Sequence, residues 1–197
     1  MSFFSDECRF GLKNDCKTLT VWRRSEEASN TDFFQPTLKN SVSVMFWGCI
    51  GPNGVGRLVR CHGQINAVKY IEILQDNLHQ SVKQMFGEEK RPFIFQHDNA
   101  PPHRAKKTKI YTKLRGIDAL PWPANSPDLN IIENVWLFIK NKLNNDPRCP
   151  PTTREELVVR IFEEWRRIPQ SFIAKLYDSI PCRLNEVLKM RGYPTKY

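Results

Sequence analysis

Residues 93–133, FIFQHDNAPPHRAKKTKIYTKLRGIDALPWPANSPDLNIIE, decide the fold of this chain. An apolar run ends at Asp98, a basic stretch and a second apolar run follow, and a proline-marked turn precedes Glu133. A continuous apolar run is typical of a strand buried on both faces. Ser126, Pro127 and Asp128 supply a cap, a first-turn proline and a first-turn acid, so they predict a helix that carries Glu133 about two turns in.

The rest of the chain supplies further alternating strands and helices. A carboxylate, Asp6, closes the first predicted strand, and Pro101 and Pro102 open the helix after Asp98. The predicted strands are residues 1–7, 41–50, 56–61, 92–98 and 117–120. The other predicted helices are residues 67–86, 153–167 and about 170–191. In the second of these, Glu156 is placed for a capping box. Pro181 is a candidate interruption of the last.

Three strands in an antiparallel half, followed by parallel strands with crossover helices, form a ribonuclease H-like layout. We therefore expect an α/β fold, with a mixed sheet flanked by helices and with C-terminal helices. Residues 1–145 are expected to form the catalytic core, and residues 146–197 a helical extension packed on it.

The composition favours a nucleic-acid partner. The chain has 197 residues, 40% of them hydrophobic, and no apolar run approaches the roughly 18 residues of a membrane span. A net charge of +9 and a pI near 9.4 favour a polyanion. The six scattered cysteines include no CxxC pair, which favours reduced thiols in a cytosolic or nuclear protein.

Three carboxylates could meet at one edge of the predicted sheet. If the strands ending in Asp6 and Asp98 are adjacent, these side chains lie within a few Å, and a hard divalent cation would relieve their repulsion. Either aspartate alone could instead cap a turn. Glu133 lies at the border of a buried helix face, where it could complete the cluster, extend into solvent or pair with Lys140.

The segments FSDECRF, HDNAPPHRA and WPANSPDLNIIENVW resemble three blocks of the mariner-type (Tc/mariner) transposases, a branch of the DDE superfamily. FWGCIGPNGVGRLV and RGYPTKY also resemble family segments. The resemblance implies a catalytic, metal-binding triad of Asp6, Asp98 and Glu133, with 34 residues between the last two members. It also implies two Mg²⁺ or Mn²⁺ ions and cut-and-paste movement of DNA. Asp6 and Asp98 would be shared ligands, and Glu133 the ligand of one ion and a candidate proton acceptor.

Two departures from the family pattern stand out. Ile131 occupies a position where the family usually has proline; we expect this to be tolerated because Ser126 and Pro127 already start the helix. The family also carries N-terminal helix-turn-helix modules, so this chain is expected to be a catalytic half without them.

Other residues receive weaker functional predictions. Asn99 and His103 could contact the scissile phosphate or orient a ligand, or could serve the local structure. His97 is expected to be structural, and Trp122 to be core or a stacking platform. Asp128 is better explained as a first-turn acid than as a ligand. The candidate phosphate contacts are Arg104, Lys106, Lys107, Lys109, Lys113 and Arg115.

The leading hypothesis is a metal-dependent DNA endonuclease and strand transferase that acts in the nucleus on transposon ends and target DNA. Whether it forms a homodimer is open. The first alternative is an inactive or domesticated remnant that binds DNA or dimerises. The second is a ribonuclease H-type nuclease for RNA–DNA hybrids.

Overall fold

The computed structural model describes residues 1–12, 42–87, 92–124, 126–190 and 195. Its sheet has five strands, in the order β3-β2-β1-β4-β5. Strands β1, β2 and β3 pair antiparallel, whereas β4 pairs parallel with β1 and β5 parallel with β4. The predicted mixed, ribonuclease H-like sheet is thereby confirmed. The strands are β1 Ser2–Gly11, β2 Ser43–Gly51, β3 Gly54–Cys61, β4 Ile94–Gln96 and β5 Asp118–Ala119.

The helices cover both faces of this sheet. They are α1 Ala67–Phe86, α2 Pro101–Arg104, α3 Lys106–Leu114, α4 Ile132–Asn144, α5 Arg154–Arg166 and α6 Gln170–Lys189, with a 3₁₀ turn at Pro127–Leu129. Helix α1 has the predicted bounds, because the Asn66 side chain accepts from the amides of Val68 and Lys69, and Gly87 ends the helix at a positive φ of 74°. Pro181 lies inside a continuous α6.

Alternation along β1 divides the buried residues into two cores. Phe4 and Phe10 pack with α4, α5 and α6 on one face, whereas Phe3 packs with α1 on the other. The rings of Trp136 and Trp165 stack over Gly48 with centroids 5.3 Å apart. A Cβ at Gly48 would lie 2.7 Å from the Trp136 ring, so glycine permits this close packing. The C-terminal helices therefore complete the core beside β1, and the division at residue 145 stays a prediction.

Several predicted boundaries are wrong. Strand β1 continues past Glu7 to Gly11 because β2 pairs with it as far as Gly11 opposite Ser43, so Asp6 lies inside a strand. Strand β4 ends at Gln96, two residues before Asp98. The helix after Pro101 breaks at Ala105, whose ψ of 140° is extended, into α2 and α3. Ser41 and Arg191, at the ends of two predicted elements, lie outside the described residues.

Two predicted absences concern membranes and disulfides. Within the described ranges, no helix is long and apolar enough to cross a membrane. The described cysteines are all free thiols, namely Cys8, Cys49, Cys61, Cys149 and Cys182, whereas Cys16 lies outside the described residues.

Candidate active site

A cleft of about 400 Å³ at the carboxyl end of β4 is lined by Asp6, Asp98 and Glu133. Phe4 is the last β1 residue opposite β4, so Asp6 projects just beyond the parallel pairing. Asp98 lies in the loop after β4, and Glu133 is the second residue of α4. The structure therefore brings the three predicted carboxylates to one cleft from a strand, a loop and a helix. Their catalytic role stays a prediction.

Asp6 is held in an environment that disfavours its charge. The Nε1–H of Trp136 donates to its Oδ2 over 3.2 Å. Burial raises the pKa of Asp6 to about 8, with further increases from the carboxylates of Glu133, Glu7 and Asp98. A cation in the cleft would reverse this penalty.

Asp98 is held in the opposite way. His103 Nδ1 lies 2.6 Å from its Oδ1, and the amide of Ala100 donates to the same oxygen over 2.9 Å. The hydrogen bond with His103 is the largest cause of a lowered Asp98 pKa, and burial only partly opposes it. The negative charge of Asp98 is thus stabilised inside the fold.

His103 links Asp98 to a second carboxylate, that of the half-buried Glu7. Its Nε2 lies 3.4 Å from Oε1 of Glu7, and its ring packs on Tyr70 and His97 at centroid distances of 4.0 and 5.0 Å. Burial would lower the pKa of His103, but the bonds with Asp98 and Glu7 outweigh it and raise the pKa to about 9. His103 is therefore an imidazolium between two carboxylates.

His97 has a different environment from His103. Its Nδ1 lies 2.9 Å from the Tyr70 hydroxyl, and burial followed by the charge of His103 lowers its pKa to about 4. A neutral, stacked ring fits the structural role predicted for His97.

Glu133 is positioned by a turn rather than by the predicted helix start. Ser126 makes no side-chain cap, and its hydroxyl donates instead to Ala124 O over 3.1 Å. The carbonyl of Asn130 accepts from the Glu133 amide over 3.1 Å, and α4 begins only at Ile132. Glu133 is therefore in the first turn of α4, where the positive end of the helix dipole favours its charge.

Ile131 is accommodated for a reason other than the predicted one. Because α4 does not start at Ser126, that residue cannot compensate for the missing proline. Ile131 is instead the residue before α4, with helical φ and ψ, and it is fully buried in the core beside β1. Its side chain contributes apolar packing at the base of the turn.

The donor set of the cleft suits a hard divalent cation, since carboxylate oxygens are the preferred ligands of Mg²⁺. However, among the described residues no three His, Cys, Asp or Glu side chains already form a metal-ligand group. Three carboxylates without a cation repel one another, which favours a common cleft over a closed ligand cage. The residues present fit a metal that would draw the three side chains together.

The remaining predicted residues divide between the cleft and the surface. Asn99 lines the cleft, and its Nδ2 donates over 2.6 Å to the carbonyl of Trp122, which lies 23 residues away, so its functional role stays a prediction. Trp122 both lines the cleft and packs on Phe4, at a ring distance of 6.2 Å. All six predicted cations are exposed, and Arg104 lines the cleft itself.

Sequence reasoning missed two residues of this site. Glu7 was predicted only as the end of a strand. Because successive side chains of a strand point to opposite faces of the sheet, Glu7 lies on the other face from Asp6, on the side of α1, where it contacts His103. Asn130 lines the cleft and is buried, and in the described part of the chain its Oδ1 has no hydrogen-bond partner. Nothing in the local pattern distinguishes that asparagine from an ordinary turn residue.

A sheet of this topology with three carboxylates at one cleft defines the class of DDE-type nuclease domains. Residues 2–157 match the family model described as DDE superfamily endonuclease. The chain belongs to this family, in its Tc/mariner-type transposase branch.

Relatives extend the match over nearly the whole chain. It is 30% identical over 195 residues to the Tcb2 transposase of Caenorhabditis briggsae, covering 98% of this chain and 69% of that protein. It is 31% identical to the Tc1 transposase of Caenorhabditis elegans, with the same coverage.

Solved structures of Mos1 transposase share the fold. A paired-end complex with the left transposon end superposes with a TM-score of 0.77 at 19% identity, covering 98% of this chain and 55% of that one. The isolated Mos1 catalytic domain gives 0.72 at 18% identity, covering 99% and 84%. The chain thus spans about half of the longer Mos1 protein.

Proposed function

We propose that this chain is a metal-dependent transposase nuclease that cuts a DNA strand and joins the freed 3′-hydroxyl to target DNA. The observation that carries the proposal is the common cleft of Asp6, Asp98 and Glu133 in a member of the DDE endonuclease family. Mos1 catalytic-domain structures with Mg and with Mn support the choice of metal.

In this proposal, Asp6, Asp98 and Glu133 hold two divalent ions. When bound, such a pair stabilises the attacking and leaving oxygens of an in-line displacement at phosphorus. The bonds from His103 and Ala100 are both to Oδ1 of Asp98, so its Oδ2 would be the oxygen that binds a metal ion. Glu133, which is exposed and lines the same cleft, would accept a proton from the attacking hydroxyl.

DNA is the proposed substrate. The basic segment defined by Arg104, Lys106, Lys107, Lys109, Lys113 and Arg115 is exposed on α2, α3 and the residue that follows them, beside the cleft. Such cations bind phosphates without reading bases. Transposon ends and target DNA are the proposed ligands, action on chromosomal DNA would place the protein in the nucleus, and pairing of two ends would suit a dimer.

Nicking of supercoiled plasmid tests the chemistry. We expect Mg²⁺- or Mn²⁺-dependent nicking that falls to the metal-free background in Asp6→Asn, Asp98→Asn and Glu133→Gln. Asp118→Asn, which removes an exposed acid from β5 outside the cleft, is the matched control. Wild-type nicking that persists without metal, or in Asp98→Asn, would contradict the proposal. DNA binding without any wild-type nicking would favour the remnant reading.

Salt titrations test the proposed DNA surface. Replacing Lys106, Lys107 and Lys109 with Ala should reduce the log–log salt slope of binding by up to about three units if all three contact phosphate. The control removes the same charge from α4 and α6, as Lys142→Ala, Lys175→Ala and Lys189→Ala. Equal slopes for the two triple variants would show that only net charge matters.

A further inference from the structure

Arg183 of α6 is a buried arginine whose guanidinium reaches the turn before Glu133. Only 3% of the residue is exposed. Nη1 donates to the carbonyl of Asp128 over 2.7 Å, and Nη2 donates to Oδ1 of Asn134 over 2.8 Å. Nε donates to Ser179 Oγ over 2.9 Å, which fixes the plane of the group from within α6.

The two acceptors of Arg183 lie on either side of Asn130 and Glu133, two residues that line the cleft. Asp128 precedes Asn130 in the turn, and Asn134 directly follows Glu133 in α4. No side chain caps the start of α4. One rigid, forked group therefore holds both ends of the segment that presents Glu133, which is a geometry that the flexible amine of lysine does not reproduce.

A second contact secures the same turn. The amide and hydroxyl of Thr195, beyond the end of α6, donate to Oδ2 of Asp128 over 3.0 and 2.8 Å. Asp128 is thus held through its carbonyl by Arg183 and through its carboxylate by Thr195. The predicted role of Asp128 as a first-turn acid describes only part of what it does.

We propose that Arg183 is a positioning residue that fixes the turn 128–134 so that Glu133 faces the aspartates across the cleft. This inference rests on the proposed metal-dependent function. The C-terminal helix would then be part of the catalytic apparatus, because it positions the third carboxylate although none of its residues lines the cleft.

Mn²⁺ binding to the 197-residue chain, followed by electron paramagnetic resonance, tests this inference without relying on turnover. Asp98→Asn serves as the reference for loss of the cleft site. We expect Arg183→Met to weaken Mn²⁺ binding about tenfold, as for loss of a side chain that orients a metal ligand. Arg183→Lys should be intermediate, and nicking should lose kcat with little change in KM for DNA.

Arg160→Met is the matched control. Arg160 is also a buried arginine, 6% exposed, but its ion pairs are with Glu156 and Asp146, outside the cleft. It should lose stability without losing Mn²⁺ affinity at a temperature where every variant is folded. Equal Mn²⁺ affinity of Arg183→Met and Arg160→Met would overturn the inference.

A double-mutant cycle identifies the route of the effect. If Arg183 acts through Glu133, Arg183→Met should add no further loss of Mn²⁺ affinity in a Glu133→Gln background. An undiminished loss there would overturn the inference. If Arg183→Met does not fold, Asn134→Ala removes one acceptor alone and should show a smaller loss of the same kind.

The same measurements separate the two levels of the proposal. Wild-type binding of Mn²⁺ that Asp98→Asn does not weaken would refute the proposed metal site itself. Loss of binding in Asp98→Asn but not in Arg183→Met or Asn134→Ala would refute only the role of Arg183.

Discussion

Asp98 and Glu133 face one cleft, but they are held there by opposite means. The partners of Asp98 are His103 and Ala100, both within five residues along the chain, and the main contact is between charges. Glu133 depends on the backbone of Asn130 and on Arg183, which bonds residues 49 and 55 positions away. One wall of the cleft, here called the Asp98 wall, is formed by a local motif of Asp98, Ala100 and His103. The other, called the Glu133 wall, is the turn that carries Glu133, and it is held by Arg183 and Thr195 from the C-terminal part of the chain.

This contrast predicts which kind of substitution should disrupt each wall. The Asp98 wall depends on a buried imidazolium shared between Asp98 and Glu7, so its weak point is electrostatic. The Glu133 wall depends on the bonds of Arg183, in α6, to the neutral acceptors Asp128 O and Asn134 Oδ1, so its weak point is the packing of α6.

The largest expected effect is that of His103→Ala. Removing the imidazolium leaves Glu7 buried without its partner and Asp98 without its main bond, and loss of one member of a buried pair costs about 3 kcal/mol. Urea denaturation in metal-free buffer measures the free energy of unfolding. The exposed His62→Ala should change it by less than about 0.5 kcal/mol.

A His103→Ala variant as stable as His62→Ala would contradict the electrostatic account of the Asp98 wall. It would mean that neither the charge of His103 nor the stacking of its ring on Tyr70 and His97 contributes measurably to stability.

The predictability of the two walls follows the same contrast. HDNAPPH and the apolar run before it predicted a buried strand that reaches Asp98, two residues too far, and a helix that starts at Pro101, because the signals lie within a few residues. The start of α4 was misplaced because SPD resembles a cap, while the real constraint comes from Arg183 and the buried Ile131. The charge state of His103 could not be predicted from the local sequence either, because it depends on Glu7 in β1.

Substitutions of Asp6 and Asp98 should have smaller effects on the free energy of unfolding. The two effects should be of opposite sign, because the pKa values of these aspartates are shifted in opposite directions. The pKa of Asp6 is about 8 in the fold against an ordinary 3.8, so its native form retains a proton that the unfolded chain has lost at pH 7. Stability from this group therefore falls as pH rises from about 4 to 8. Asp6→Asn should raise the free energy of unfolding at pH 7 by about 1–2 kcal/mol, since one pKa unit is worth about 1.4 kcal/mol and the open cleft weakens the effect.

Asp98→Asn should do the reverse in the same metal-free buffer. The pKa of Asp98 is lowered by His103, so its charge stabilises the fold above pH 3.8, and this contribution is lost as pH falls through the lowered pKa. Urea denaturation of both variants between pH 4 and 8 tests the contrast. Destabilisation at pH 7 by both substitutions would show that the two aspartates share one environment.

The smallest expected effect is that of Thr195→Ala, which removes one hydrogen bond to Asp128 and leaves the backbone donor in place. One such bond contributes about 0.5–1 kcal/mol, so Mn²⁺ affinity should fall by no more than about fivefold, less than for Arg183→Met. The Thr195 hydroxyl is also the main cause of the lowered pKa of Asp128, so that pKa should rise in carboxyl-carbon NMR. Thr153→Ala, which removes the cap of α5, costs similar stability and should leave both readouts unchanged. An unchanged Asp128 pKa in Thr195→Ala would show that the Thr195 hydroxyl does not stabilise the Asp128 carboxylate, and would leave the Thr195 amide and Arg183 as the donors that hold Asp128.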